Sequence, residues 1–271
     1  MVDEVARYNR ARWEALVRAN ALFTRPWLDL DARQARERLD PWGYLGPVEG
    51  RDVLVLAGGG GQQSVAFALL GARVWVLDLA EGQLERDREA ATHYGVAVQT
   101  VRGDMRDLSP FPDCSFDIVF HPYALNFVPD CRVVFQQVAR VLRLGGIYHF
   151  MAANPFCQGM GPRDWNSEGY VLRRAYVEGA EVTYEDEPWV FRDERPAERI
   201  EGPCEYRQTI GRILNGLADC GLFVYRALEY AGHDQDLTAA PGSWEHFTAH
   251  LPPWLWFWCV RRPNFVPDFL R

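Results

Sequence analysis

The sequence predicts an α/β fold, a doubly wound parallel sheet with helices on both faces. Three observations carry that prediction. From residue 52 to residue 152, runs of strand length alternate with stretches of helical spacing. The strand-length runs are apolar on both faces, as strands buried between two helix layers are. The first run, VLVLA at 53–57, breaks into four glycines, Gly58 to Gly61, with a helical stretch behind them. Strand, glycine turn and helix N-terminus together form the ligand cradle of such folds.

Each element has its own signal. Residues 5–22 have helical spacing, with Val5 and Tyr8 one turn apart and Trp13 followed by Leu16 and Val17. FTRPWLDLD breaks the pattern, DARQARERL gives a second short helix, and PWGYLGPVEG is turn chemistry leading into the first strand. Helix is predicted over 62–70, strand over 73–78, and a charged amphipathic helix over 81–94, stopped by Gly95. Strands follow at 96–104 and 116–121. A helix over 131–144 carries Val133, Val134, Val138, Val141 and Leu142 on one side; Gly145 and Gly146 end it, and IYHFMA at 147–152 is the fifth strand. Beyond 152 the pattern changes. VLRRAYVEGAEVTYEDEPWVFRD predicts one or two antiparallel hairpins, 206–220 a helix, and 222–230 and 254–262 two more strands. The expected organisation is a helical arm at 1–45, a core at 46–154, an inserted β-rich lid at 155–205 and a C-terminal completion of the sheet at 206–271.

Composition narrows the function. The chain has 271 residues, 48% hydrophobic, and a net charge of −8 with every basic residue an arginine apart from the histidines. That sign works against a broad grip on nucleic acid. The six cysteines form no CxxC pair, so neither a zinc site nor a disulfide framework is expected. No apolar run reaches the roughly 20 residues of a membrane span, and the N-terminal stretch has no signal-peptide core. The expected setting is cytoplasmic, with no nucleic-acid or membrane partner, as a monomer or homodimer.

The glycine turn admits three ligands. A nucleoside triphosphate needs Lys and Ser/Thr after the glycines, but Gln62-Gln63-Ser64 follows. A dinucleotide needs G-x-G-x-x-G, and neither register supplies the third glycine. Asp78 ends the second strand, where an acid accepts from ribose hydroxyls in both NAD and S-adenosylmethionine enzymes. Asp104, after the third strand, is placed to accept from an adenine amine with Met105 on the ring face. That pair favours S-adenosylmethionine over an NAD(P)-dependent oxidoreductase. A nucleoside-binding protein without activity is the remaining alternative.

The series VLVLAGGGGQQS, VWVLD, GDMRDLSPFPDCSFDIVFHP, NFVPD and RVLRLGGIYHF resembles the class I S-adenosylmethionine-dependent methyltransferases. It is especially similar to a bacterial, type 11-like subgroup with a GGGQQ loop. The resemblance implies a Rossmann-like seven-stranded sheet whose last strand is antiparallel, and methyl transfer to an O, N or C nucleophile of a small molecule. It implies S-adenosyl-L-methionine as cofactor and a binding set of Ala57, Gly58, Gly59, Gly60, Gly61, Gln63, Asp78, Leu79, Gly103, Asp104, Met105 and His121. Two positions depart from the pattern: Val55 replaces the usual acid of the first strand and Ala57 the usual first glycine. No metal is implied. His121, Tyr123 and Asn126, at the carboxyl end of the fourth strand, are the catalytic candidates, His121 and Tyr123 as possible bases.

Further expectations concern the rest of the chain. Tyr8, Trp13, Trp165, Trp189, Phe191 and Trp244 are candidates for an aromatic roof, with packing of the arm as the plainer alternative. His246 and His250 are four apart and could share a helix face, but a third metal ligand is missing. Gly59→Val is expected to block the cofactor and leave the fold largely intact.

Overall fold

The computed structural model describes residues 3–186, 188–191 and 199–263; the side chains of Pro188 and Trp189 are outside that set. The strands of the core are β1 (Asp52–Leu56), β2 (Arg73–Asp78), β3 (Val98–Arg102), β4 (Phe116–His121) and β5 (Leu142–Ala153). With β8 (Leu222–Tyr230) and β9 (Trp254–Arg261) they form one seven-stranded sheet in the order β3-β2-β1-β4-β5-β9-β8. Strands β1 to β5 pair in parallel, and β9 runs antiparallel to both neighbours. The sheet is the one expected, last strand included.

Its two apolar faces account for the unbroken hydrophobic runs. Leu54, Leu56, Leu77, Val119, Tyr148 and Phe150 pack on one side with α5 (Cys131–Val141) and α6 (Ile210–Asp219). Val53, Val55, Val74, Val76, Ile118 and Phe120 pack on the other with α2 (Ala32–Leu39) and α3 (Gln63–Leu69). The alternation in each strand sends neighbours to opposite layers. The long helix α1 (Glu4–Arg18) lies against α4 (Glu81–Tyr94), over the carboxyl ends of the strands. Among the described residues no helix is long and apolar enough to cross a membrane.

Three local expectations are corrected. Helix α1 stops at Arg18, before 22, because Asn20 takes a left-handed conformation (φ 51). Helix α5 stops at Val141, and Gly145-Gly146 lie inside β5 rather than capping the helix. There the register jumps from Phe116↔Leu142 to Ile118↔Ile147; the extra residues bulge out, and Gly145 supplies φ +80 at the bend. The insertion forms no hairpin of its own over 171–186: β6 (Glu181–Thr183) pairs with β7 (Cys204–Tyr206), which comes from the far end of the segment. Helix α7 (Trp244–His250) sits in the long β8–β9 connection.

Candidate active site

Strand β1 ends on Leu56, and Ala57 turns the chain with φ 49. An alanine there costs roughly 1 kcal/mol that glycine would not. The next amides are taken by carboxylates. Gly59 N donates to Asp78 Oδ2 at 3.0 Å, while Asp78 Oδ1 accepts from Ala80 N at 2.9 Å. Gly60 N and Gly61 N donate to the two oxygens of Asp87 on α4, at 3.2 and 3.1 Å, and the Ser64 hydroxyl donates to the same carboxylate. Asp87 therefore holds the glycine turn from the side opposite the cavity. It supplies an acid to a loop whose own strand carries Val55.

Both carboxylates are buried, and burial raises both. Asp78 is pushed up to about 6, with Glu14 adding repulsion and the backbone donors opposing. Asp87 is pushed up to about 7, with the Asp78 charge contributing after burial and against the Ser64 hydrogen bond. Neither is ion-paired among the described residues.

The glycines also answer to the protein itself. A Cβ on Gly59 would lie 2.7 Å from Gln83 Cβ, and one on Gly58 2.7 Å from Val55 Cγ1. A Cβ on Gly61 (φ +70) would meet the Arg86 carbonyl and come within 2.9 Å of Ala90 and Pro26. Gly59→Val therefore strains the fold as well as the cavity.

A cavity of about 260 Å³ opens at the carboxyl ends of β1, β2, β3 and β4. Ala57, Gly58, Gly59 and Gln63 form its floor; Asp78 and Leu79 one wall; Gly103, Asp104 and Met105 the next; Tyr123 and Met151 lie at another side. Ala6, Asn9 and Trp13 of α1 cover it. Gly60, Gly61, His121 and Asn126 are not on its surface. Asn9 and Gln83 also line it; their amide oxygens are buried and without a hydrogen-bond partner among the described residues.

The arm is tied down at both ends. Arg106 grips Asp104 at 2.6 Å and Asp3 at 2.7 Å, so one guanidinium joins the arm to the third-strand acid. That pair holds the Asp3 carboxyl down at about 2, the Arg106 hydrogen bond being the main cause. Glu14 Oε1 accepts from Glu81 N at 2.8 Å at the start of α4, a favourable place for a negative charge. Arg12 forks onto Asp186 of the insertion at 2.8 and 2.9 Å.

The three catalytic candidates fare differently. His121 is fully buried, with Nδ1 2.9 Å from the Tyr148 hydroxyl, and burial pushes it down to about 3. It is neutral at physiological pH and a weak base. Asn126 accepts from Ala153 N at 2.8 Å and donates to the Tyr206 carbonyl at 3.2 Å, stitching β5 to β7. Tyr123 lines the cavity and donates to the Glu205 carboxylate, 2.9 Å from each oxygen. Glu205, on β7, is fully buried and also accepts from Gln158 Nε2 and the Tyr184 hydroxyl, each at 2.8 Å. Sequence reasoning missed Glu205 and Asp87. Both stand in polar stretches, and nothing local marks a charge as buried.

Of the aromatic roof, Trp13 lines the cavity, packed edge-on against Phe23 and Phe127. Tyr8 bonds the Gly202 carbonyl, Phe191 joins a small core with Leu16 and Ala21, and Trp165 and Trp244 pack around α7. The side chain of Trp189 lies outside the described residues. His246 and His250 lie with ring centroids 4.3 Å apart and planes tilted by 36°; His246 Nδ1 meets the Tyr170 hydroxyl at 2.8 Å. No group of three or more metal-ligating side chains that could hold an ion occurs among the described residues.

Comparison with known proteins bears on the fold. Residues 54–150 match the family described as methyltransferase domain. An uncharacterised methyltransferase of Bacillus subtilis, YbaJ, is 44% identical over 115 residues, 42% of this chain and 45% of that protein. The tRNA 5-carboxymethoxyuridine methyltransferase of Escherichia coli is 31% identical over 130 residues, 47% of this chain and 46% of that one. The matches thus span just under half the length of these curated relatives. A crystal structure of an S-adenosylmethionine-dependent methyltransferase from Mesorhizobium loti superposes with a TM-score of 0.63 at 25% identity, over 87% of this chain and 100% of that one.

Proposed function

We propose that this chain, a class I S-adenosylmethionine-dependent methyltransferase by its fold and by the domain at residues 54–150, moves the sulfonium methyl of its cofactor to an O, N or C nucleophile of a small molecule. One observation carries the reading. A single cavity under α1 joins Asp104 and Met105 at one side, Asp78 beside the glycine turn, and Tyr123 at another. In the proposed pose Asp104 and Met105 take the adenine, Asp78 the ribose hydroxyls, and Gly58 and Gly59 lie against the methionine part.

Methyl transfer is an in-line displacement that releases a neutral thioether, so alignment and exclusion of water supply much of the rate. The arm does both jobs in this pose: Trp13 and Asn9 close the cavity, held by the Asp3–Arg106 and Glu14–α4 ties. The net charge of −8 favours a small acceptor over a polynucleotide. Calorimetry with S-adenosylmethionine, then label transfer to small molecules and to bulk tRNA, tests the reading. Transfer to tRNA in preference to small molecules would reverse the choice of acceptor.

Asp78 gives a sharper prediction. Asp78→Ala should weaken cofactor binding by about 1–3 kcal/mol, the scale for losing charge-assisted hydrogen bonds. The wild-type affinity should also depend on pH. Ribose hydroxyls donate to the ionised carboxylate, and the free protein binds a proton there at about 6. Affinity is then full above that value and falls as pH drops through it, down to the lower value the cofactor imposes. Calorimetry between pH 5 and 8 should show this slope in wild type and its loss in the variant; a flat wild-type profile would remove Asp78 from the ribose site.

A further inference from the structure

We infer that Glu205 is the proton acceptor of this site, reached through the Tyr123 hydroxyl, and that the methyl acceptor is a nucleophile bearing an acidic O–H or S–H on an apolar body. This rests on the methyltransferase reading and adds a substrate class to it.

The inference proceeds by elimination and then by geometry. Asp104, gripped by Arg106, and Asp78, at the glycine turn, are given to the adenine and ribose of the cofactor in the proposed pose. His121 is off the cavity surface, and burial leaves it a weak base. Tyr123 is the candidate on the cavity wall. Burial and the Glu205 charge hold its phenol well above its ordinary value, so it does not wait as phenolate. It can take a proton only while giving one up, and its hydrogen bond to both Glu205 oxygens provides the exit. Among the described residues no group donates to the Tyr123 oxygen, which leaves it able to accept.

Glu205 is an expensive residue for a structural task. It is fully buried, and its hydrogen-bond donors are two phenols and one amide, all neutral. The nearby Arg12 guanidinium is forked onto Asp186 instead. A buried carboxylate without a bonded cation is costly, and burial raises its proton affinity. Both properties suit a group that must become neutral as the reaction proceeds.

The step balances. The acceptor's O or S forms a bond to the methyl carbon as the S–CH₃ bond breaks, its electron pair staying on the cofactor sulfur. The acceptor's proton passes to the Tyr123 oxygen while the Tyr123 proton passes to Glu205. The products are the methylated acceptor, the neutral thioether cofactor and a protonated Glu205. Trp13, Phe127, Val128 and Met151 share the cavity with Tyr123, which suits an apolar or aromatic body; a phenol is the simplest case.

The test uses cofactor labelled in the transferable methyl and two probe sets of similar size: 4-methylphenol and phenylmethanethiol, which keep their proton at neutral pH, against pyridine and N,N-dimethylaniline, which have no proton to lose. Wild type should methylate a member of the first set and neither of the second. Glu205→Gln and Tyr123→Phe should each lower that rate about 100-fold or more, the scale of a lost proton transfer. Both should keep the wild-type cofactor Kd within about threefold, which also shows that they fold; a lost side-chain hydrogen bond to the cofactor would cost more than that. The acid limb of the wild-type pH–rate profile should vanish in Glu205→Gln. Undiminished transfer in Glu205→Gln, transfer to the second set alone, or transfer to neither set by cofactor-bound wild type would overturn the inference. Failure of wild type to bind the cofactor is a separate result and would overturn the methyltransferase reading.

Discussion

Asp87→Ala is expected to lower the stability of the protein by about 3 kcal/mol, the scale of leaving buried donors without acceptors, and to loosen the glycine turn. Three groups lose a hydrogen bond to Asp87 together: Gly60 N, Gly61 N and the Ser64 hydroxyl. Gly60 N keeps the Gln83 carbonyl at 3.1 Å, so Gly61 N and Ser64 bear most of the loss. The effect has a pH signature. The folded protein binds the Asp87 proton at about 7, above the ordinary value of 3.8. The contribution of this group is therefore greatest below about pH 4 and is lost as pH rises through 7. The deficit of the variant should be widest in acid and narrow towards pH 8 in urea titrations. Hydrogen exchange should rise at Gly60 and Gly61 first. Cofactor affinity should fall with it, by about tenfold or more, since a floor that must be ordered on binding costs free energy.

A second substitution separates positioning from simple packing. The Val55 side chain lies directly beneath the turn, against position 58. Val55→Asp in the Asp87→Ala background should restore part of the cofactor affinity, because it returns a carboxylate to the loop from the strand side. If Asp87→Ala binds cofactor like wild type, the turn needs no acid, and the assignment fails.

What could be read from the sequence was what is local in it. The strand ends at Asp78 and Asp104 converge on one cavity because parallel strands deliver their carboxyl ends to one edge. The glycine turn marks the same edge. Asp87 was illegible because EGQLERDREAATHY reads as a charged, solvated helix; only the packing of α4 on the loop and α3 buries that one carboxylate. Glu205 was hidden for a related reason. It sits on a three-residue strand in a segment of weak patterning, and its partners Tyr123, Tyr184 and Gln158 are 82, 21 and 47 residues away. The misplaced end of α5 is a third instance. Gly145-Gly146 resembles a helix stop, but Leu142 is already extended at ψ 142 and paired with β4. Tertiary pairing overrode a turn signal there.

Gly61→Ala should be the most damaging single-methyl change in the loop, costing about 3 kcal/mol or more. Left-handed backbone accounts for roughly 1–2 kcal/mol of that, and overpacking for roughly 1–3 kcal/mol. The new methyl would overlap the Arg86 carbonyl and press on Ala90 and Pro26 at 2.9 Å, so it wedges α4 and the arm away from the turn together. Gly95→Ala is the control. Its φ of +64 is nearly the same as the +70 of Gly61, but nothing lies within 4 Å of its missing methyl. It should cost about 1 kcal/mol, the backbone part alone. If urea titrations give the two variants equal losses, close approach is not the reason for Gly61. A clear difference would divide the four glycines by task. Gly58 and Gly59 border the cavity, while Gly60 and Gly61 turn their amides away from it onto Asp87. Much of the bare backbone then answers to the packing of α4 and the arm, which hold the cavity floor in place before any cofactor arrives.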